Sequence, residues 1–283
     1  MRLIIGIIIV LASVGGGFVL AHGKLASLWQ PYELIIIGGA AIGAMTIANP
    51  GHDLLRVLKS IPGLLTGSPY NKALYMEALG LVHDLFAKAR KEGLIGIEDD
   101  IESPESSEIF QRYPKLAKQE GAVSLVTDSL RLIVTSNVNA LELDNLLDLD
   151  IQSQEEHAQA PAEALNRVAD ALPGFGIVAA VLGIVITMGA INESAEVIGH
   201  HVAAALVGTF LGILLAYGFV GPMSVSMEHQ ANDEKKFLEC LKASVMAFVQ
   251  GYNPQISAEF GRKTIAPHVR PTFTELESYL KGQ

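Results

Sequence analysis

The chain has 283 residues, half of them hydrophobic and only 18% charged, with a mean hydropathy of +0.36. Soluble domains are closer to a quarter charged, so the apolar excess must sit in concentrated blocks. A net charge of −10 argues against a nucleic-acid partner, and the single cysteine, Cys240, excludes an internal disulfide and reads as a small core residue.

Residues 3–21 form the first block and carry no charge. The run is longer than the roughly 7–15 apolar residues of a secretory signal, so it reads as a span. The second block, 34–48, is bounded by Glu33 and by Asn49-Pro50. It needs its flanks, 31–50, to approach the about 20 residues of a spanning helix. Residues 171–191, ALPGFGIVAAVLGIVITMGAI, are the third block and 202–220 the fourth.

Basic residues set the orientation. There are 11 Lys and Arg in 51–170 and 7 in 223–283. The link between blocks one and two holds only Lys24, and NESAEVIGHH between blocks three and four holds none. Lys and Arg stay cytoplasmic, which predicts four spans with both termini inside. The expected organisation is spans one and two with a short outer connection (1–50), a cytoplasmic helical domain (51–170), spans three and four with a second short connection (171–222), and a cytoplasmic helical tail (223–283). The 51–170 segment is itself acidic, with 11 basic against 20 acidic residues.

Within 51–170, helical spacing over 75–91 places Ala78, Val82, Leu85, Phe86 and Ala89 on one face. A turn-rich stretch with Gly93, Gly96, Pro104 and Pro114 follows, then a helix over 122–135. A third pattern, 141–172, runs into span three. After span four, Phe237, Leu241, Val245 and Phe248 share a face, and Gly251 ends that helix. Thr274–Glu277 (TELE) has the pattern of a capping box. No strand-length alternation is present. The fold class is an all-α membrane protein: four transmembrane helices, with a helical cytoplasmic domain built from the second connection and the tail.

No Walker loop, zinc-ligand spacing, nucleophile elbow or dinucleotide fingerprint occurs, so no catalytic residue, metal or cofactor is expected. Gly15-Gly16-Gly17 reads as close helix packing. His200 and His201 are adjacent, so they diverge on a helix and cannot chelate together. Intramembrane ionisable groups mark ion relays, and none is expected in the interior of the spans. Ser13, Thr46, Thr187, Thr209 and Tyr217 complete the polar inventory. Hydroxyls line a wet path but do not take up a proton near neutral pH. The carrier of any pathway must therefore come from another subunit, with Thr187 and Thr209 orienting water. Gly183 and Gly189 would let that subunit's helix approach. Pro173 and Pro222, at the cytoplasmic ends of spans three and four, read as a matched bend.

These features, with RVADALPGFGIVAAVLGIVITMGAI, LVGTFLGILLAYGFVGPM and VRPTFTELE, make the chain resemble the flagellar-stator members of the MotA/TolQ/ExbB superfamily over nearly its whole length. The resemblance implies a multi-pass protein of the bacterial inner membrane, in contact with its lipid. It implies a pentamer around two copies of a MotB-like single-span partner, which supplies the membrane carboxylate. It further implies that ion flow drives the rotor protein FliG. Arg90 and Glu98 match the family's rotor-facing charges, and Pro173 and Pro222 its coupling prolines. Ala180 and Thr209 match positions lining the ion path. Sodium-using relatives have threonine at the position of Ala180, which points to protons. Two alternatives remain: an ExbB- or TolQ-like energiser of outer-membrane transport, with three spans, and an anchored scaffold without ion flow.

Overall fold

The computed structural model describes residues 2–136 and 138–282. Its helices are, in chain order, α1 (Arg2–Leu20), α2 (Pro31–Ala48), α3 (Gly51–Thr66), α4 (Lys72–Glu92), α5 (Glu98–Glu102), α6 (Glu108–Gln111), α7 (Glu120–Thr135), α8 (Ala140–Gly189), α9 (Ala195–Leu215), α10 (Gly221–Val249), α11 (Pro254–Thr264) and α12 (Phe273–Lys281). There is no strand among the described residues, in agreement with the all-α expectation. Four helical stretches have the length and apolar composition to cross a membrane: Leu3–Leu20, Leu25–Ala48, Ala140–Gly189 and Ala195–Val249. The last two, of 50 and 55 residues, far exceed the about 20 that a bilayer core requires.

The chain divides into two compact units. The first comprises the residues up to Gly67 with Gln159–Gln230; the second comprises Ser68–Ala158 with the residues from Ala231 onward. The divisions fall at 67/68, 158/159 and 230/231.

The second unit closes a core on itself. Leu74, Ala78, Leu81, Val82, Leu85 and Phe86 give α4 its buried stripe, packed with Phe237, Leu241 and Val245 of α10. Phe86 stacks on Phe248 with ring centroids 4.3 Å apart, and Tyr75 meets Phe237 edge-on at 5.1 Å. Asn71 caps α4 by accepting from the amides of Ala73 and Leu74. Cys240 is fully buried, and desolvation pushes its thiol up to about 12. At Gly261 of α11, a Cβ would stand 2.7 Å from the carbonyl oxygen of Cys240, so glycine is what lets α11 lie against α10.

Two local features depart from expectation. The capping box begins two residues earlier. Thr272, not Thr274, is the N-cap, and it exchanges hydrogen bonds with Glu275. Thr272 holds the extended backbone that a cap requires, whereas Thr274 already lies within the helix. The Lys72 ammonium, 2.6 Å away, and the amide of Thr272 both bond Glu275. Led by the Lys72 contact, these bonds hold its carboxyl down at about 2.

The second departure is α3, a helix outside every apolar block. Val57, Ile61 and Leu64 lie at helical spacing, and Pro62 does not break the helix. They pack with Ala162, Leu165 and Met227. Gly251, at φ 91°, follows the end of α10 as expected.

Candidate ion-path site in the membrane unit

α8 and α9 meet along a seam of small residues. A Cβ on Gly176 would lie 3.0 Å from the carbonyl oxygen of Gly208 and 3.1 Å from the Cα of Gly212. One on Gly183 would lie 3.0 Å from the Cα of Ala205, and one on Gly208 3.2 Å from the Cβ of Ala179. As α8 advances through 176, 179 and 183, α9 recedes through 212, 208 and 205, the register of an antiparallel pair. Gly208 and Gly212 form a G-x-x-x-G, a spacing that brings helix backbones together in membranes. The sequence signal for this seam is the stretch GTFLG itself.

The seam corrects one expectation. Gly183 is occupied by the chain's own Ala205, so it offers no slot to another subunit's helix. Gly189 is open, with nothing within 4 Å of where a Cβ would stand. Gly16 and Gly17 are likewise open, so these two glycines are not used for packing within this chain.

The expected ion-path residues lie on or beside the seam. Ala180 is half-buried, next to Ala179. Thr209 is half-buried and makes a long, 3.5 Å contact to the carbonyl of Gly176. Thr187 is buried, and its hydroxyl donates to the carbonyl of Gly183 at 2.8 Å. That bond uses the one proton of the Thr187 hydroxyl, leaving it to meet water as an acceptor.

The sequence gives no sign that the ionisable group at the edge of the second block is buried. Glu33 lies in the first turn of α2 and its side chain turns inward. α2 starts at Pro31, and its buried residues are Glu33, Ile37 and Ala41, one stripe at i, i+4 and i+8. Only 8% of Glu33 is exposed, and its Oε2 is buried without a hydrogen-bond partner. A Cβ on Gly208 would stand 2.8 Å from that oxygen. A carboxylate thus lies beside the fourteenth residue of α9, inside the membrane unit. An apolar run counted from Leu34 hides it, because the helix begins before the run does.

Pro173 lies within α8, which continues through it, and is half-buried. Pro222 is exposed in the first turn of α10 and closely follows a π-helical turn, Ala216–Val220. There the amide of Gly221 reaches back five residues to Ala216. Proline has no N–H and its ring crowds the preceding turn, and the wider turn accommodates both.

In the second unit, Arg90 lies in the last turn of α4 and Glu98 opens α5. Both are exposed, and neither makes an ion pair or hydrogen bond among the described residues. Their neighbours are engaged: Lys88 pairs with Asp100 at 2.7 Å and Arg131 with Glu102 at 2.6 Å. Asp84 accepts from Tyr113 and pairs with Arg112. Burial alone would raise its carboxyl, but bonds from His83 and Tyr113 and the Arg112 charge outweigh that and lower it. No cluster of three or more potential metal ligands occurs among the described residues.

Four apolar helices, two of them joined by a tight small-residue seam, define a multi-span helical membrane protein. The chain belongs to the MotA/TolQ/ExbB proton channel family. That family's profile matches residues 117–239, and the motility protein A N-terminal profile matches residues 4–93. The chain is 42% identical to motility protein A of Salmonella typhimurium over 282 residues, covering all of this chain and 96% of the relative. It is 39% identical to the chemotaxis protein LafT of Vibrio parahaemolyticus, covering all of this chain and 99% of that protein. The fold is similar to that of C. jejuni MotAB, with a TM-score of 0.76 at 16% identity over 94% of this chain and 96% of that one. For the MotAB stator complex of Bacillus subtilis the values are 0.71, 21%, 95% and 98%. These likenesses fall on the flagellar stator side of the family, and the energiser alternative is not favoured.

Proposed function

We propose that the chain is the multi-copy subunit of a proton-driven flagellar stator in the bacterial inner membrane, with both termini cytoplasmic, and that it works with a MotB-like single-span partner. The full-length identity to motility protein A carries this reading. Chain numbers follow the family pattern, five copies around two of the partner, with membrane lipid on the outer faces. The partner's membrane carboxylate and the α8–α9 seam together form the ion path. Ala180 supplies no oxygen there. A dehydrated sodium ion needs several oxygen ligands, whereas a proton needs a carboxylate and water, so the ion is a proton. Thr209 and Thr187 border the path, and Pro173 and Pro222 couple ion binding to movement of α8 and α10.

Torque passes to the rotor protein FliG through Arg90 and Glu98. Their exposure and lack of partners among the described residues support this role. Such contacts set orientation and encounter, and their longer-range part is screened over about 8 Å at physiological salt. The test is the double variant Arg90→Glu, Glu98→Lys. Motility should fall sharply while membrane abundance stays the same, and matching reversals on the rotor should restore part of it. Normal swimming by the double variant would mean the two charges are only a solvated surface.

A further inference from the structure

We propose that Glu33 is a second proton-binding carboxylate of the ion path, supplied by this chain and not by the partner. The proposal rests on the proton-stator reading above.

The observation is a buried, unpartnered acid in a membrane unit. Glu33 shares the inward stripe of α2 with Ile37 and Ala41, both buried. Its Oε2 has no hydrogen-bond partner and points at Gly208. Gly208 in turn abuts Ala179, the neighbour of Ala180 on the expected ion path. The carboxyl therefore reaches the seam at the level of the path-lining residues. An ionisable group inside a membrane protein is costly, and where it persists without a counter-charge it marks an ion or proton route.

Among the described residues, no charge on the surrounding elements answers it. α9 faces it with Gly208, and the titratable groups of α9, Glu196, His200 and His201, lie at least seven positions earlier, about 10 Å or more along the axis. α8 contributes Ala179, and Asp170 is nine positions away, about 13 Å. On α2 itself the neighbouring Tyr32 is exposed. Lys24, before the short turn Leu25–Leu28 that packs near α9, makes no ion pair with Glu33 among the described residues. Thr187 already donates to Gly183, and Thr209 is directed at Gly176.

The chemistry is reversible proton transfer. An O–H bond of a hydronium breaks as one forms on Oε2, leaving water. The reverse step returns the proton to water or to the partner's carboxylate, and Glu33 is again ionised. No other reactant is required. Gly208 and Ala179 leave the slot in which the carboxyl moves, which is why residues this small face it.

The test uses the full chain co-purified with its partner in vesicles. Proton influx is read by an internal pH dye as a function of external pH. Glu33→Gln keeps the shape and removes the titration. It should lower influx at least about tenfold, below the usual contribution of a positioned proton carrier, and flatten the pH profile. Glu33→Asp should restore part of both. In infrared difference spectra, a protonated-carboxyl band should be lost in Glu33→Gln. Influx and pH profile equal to the parent in Glu33→Gln would overturn the proposal and leave Glu33 a packing residue. Should Glu33→Gln fail to accumulate, Gly208→Ala decides. Its methyl would stand 2.8 Å from Oε2 and displace the carboxyl. A shifted pH midpoint supports the proposal, and an unchanged curve overturns it. Failure of the stator reading looks different, because the parent complex itself would then carry no protons.

Discussion

The two units bury their side chains in opposite ways. In the unit around α4, the large apolar residues turn inward: Phe86, Leu85, Leu81 and Phe237 are fully buried. In the unit of α1, α2 and the apolar parts of α8 and α9, large apolar residues face outward, with Ile8 58% and Ile47 90% exposed. The first pattern is that of a protein core in water. The second has no stable meaning in water, because a continuous apolar exterior of this size needs lipid or another subunit against it. One unit buries its large apolar residues within the chain, and the other presents them outward as an apolar wall. Along the seam of that wall, glycine and alanine replace large side chains and the helix backbones come close.

Cutting into each kind of packing tests the contrast most severely. Phe86→Ala removes a fully buried ring stacked on Phe248 and should cost about 3–5 kcal/mol, measured by unfolding of the detergent-purified full chain. Ile8→Ala, on the outward face of α1, should cost far less in the same assay. Equal losses would mean that the outward face is already packed within a single chain.

A smaller effect is expected at the seam. In Gly212→Val the new side chain meets backbone that cannot move aside, since a Cβ lies 2.7 Å from the carbonyl oxygen of Leu172 and 2.8 Å from the Cα of Gly176. Overpacking of this kind costs about 1–3 kcal/mol. Motility should be lost and thermal stability lowered, whereas Gly16→Val, with nothing within 4 Å, should leave the stability of the isolated chain unchanged. Similar shifts for both would remove the distinction between the seam and the open glycines.

The mildest pair of variants separates two nearby threonines in the other unit. Thr272→Ala deletes the observed cap of α12 and should cost about 1 kcal/mol, with Thr274→Ala costing less. The reverse order, in denaturant titrations of the two variants, would restore the capping box to Thr274.

Much of this is legible in the sequence for physical reasons. Four apolar blocks impose four spans, and the 3.6-residue spacing of Ala78, Val82, Leu85 and Phe86 imposes α4. What the sequence conceals has a local cause in each case. α3 contains Pro62 and carries apolar residues on two faces, Val57 and Leu64 inward and Leu55 and Leu58 outward, so its periodicity is blurred. The cap is ambiguous by two residues because Thr272 and Thr274 each have a glutamate three residues on. Glu33 looks like a boundary because hydropathy registers where charge stops, not where a helix starts. The stripe it shares with Ile37 and Ala41, and the facing Gly208, reveal that its side chain is buried. The partner-facing use of Gly183 fails because a close-packing glycine does not say whose helix fills it.

If this chain is one wall of a proton path that a partner's carboxylate completes, proton influx into vesicles must differ between the chain alone and the chain with its MotB-like partner. Vesicles with the chain alone should stay proton-tight, because no second carrier follows Glu33 along the seam among the described residues. Adding the partner should open influx that follows the proton gradient and persists without sodium, and neutralising the partner's membrane carboxylate to an amide should abolish it. Steady proton influx through this chain alone would refute a path that needs two kinds of subunit.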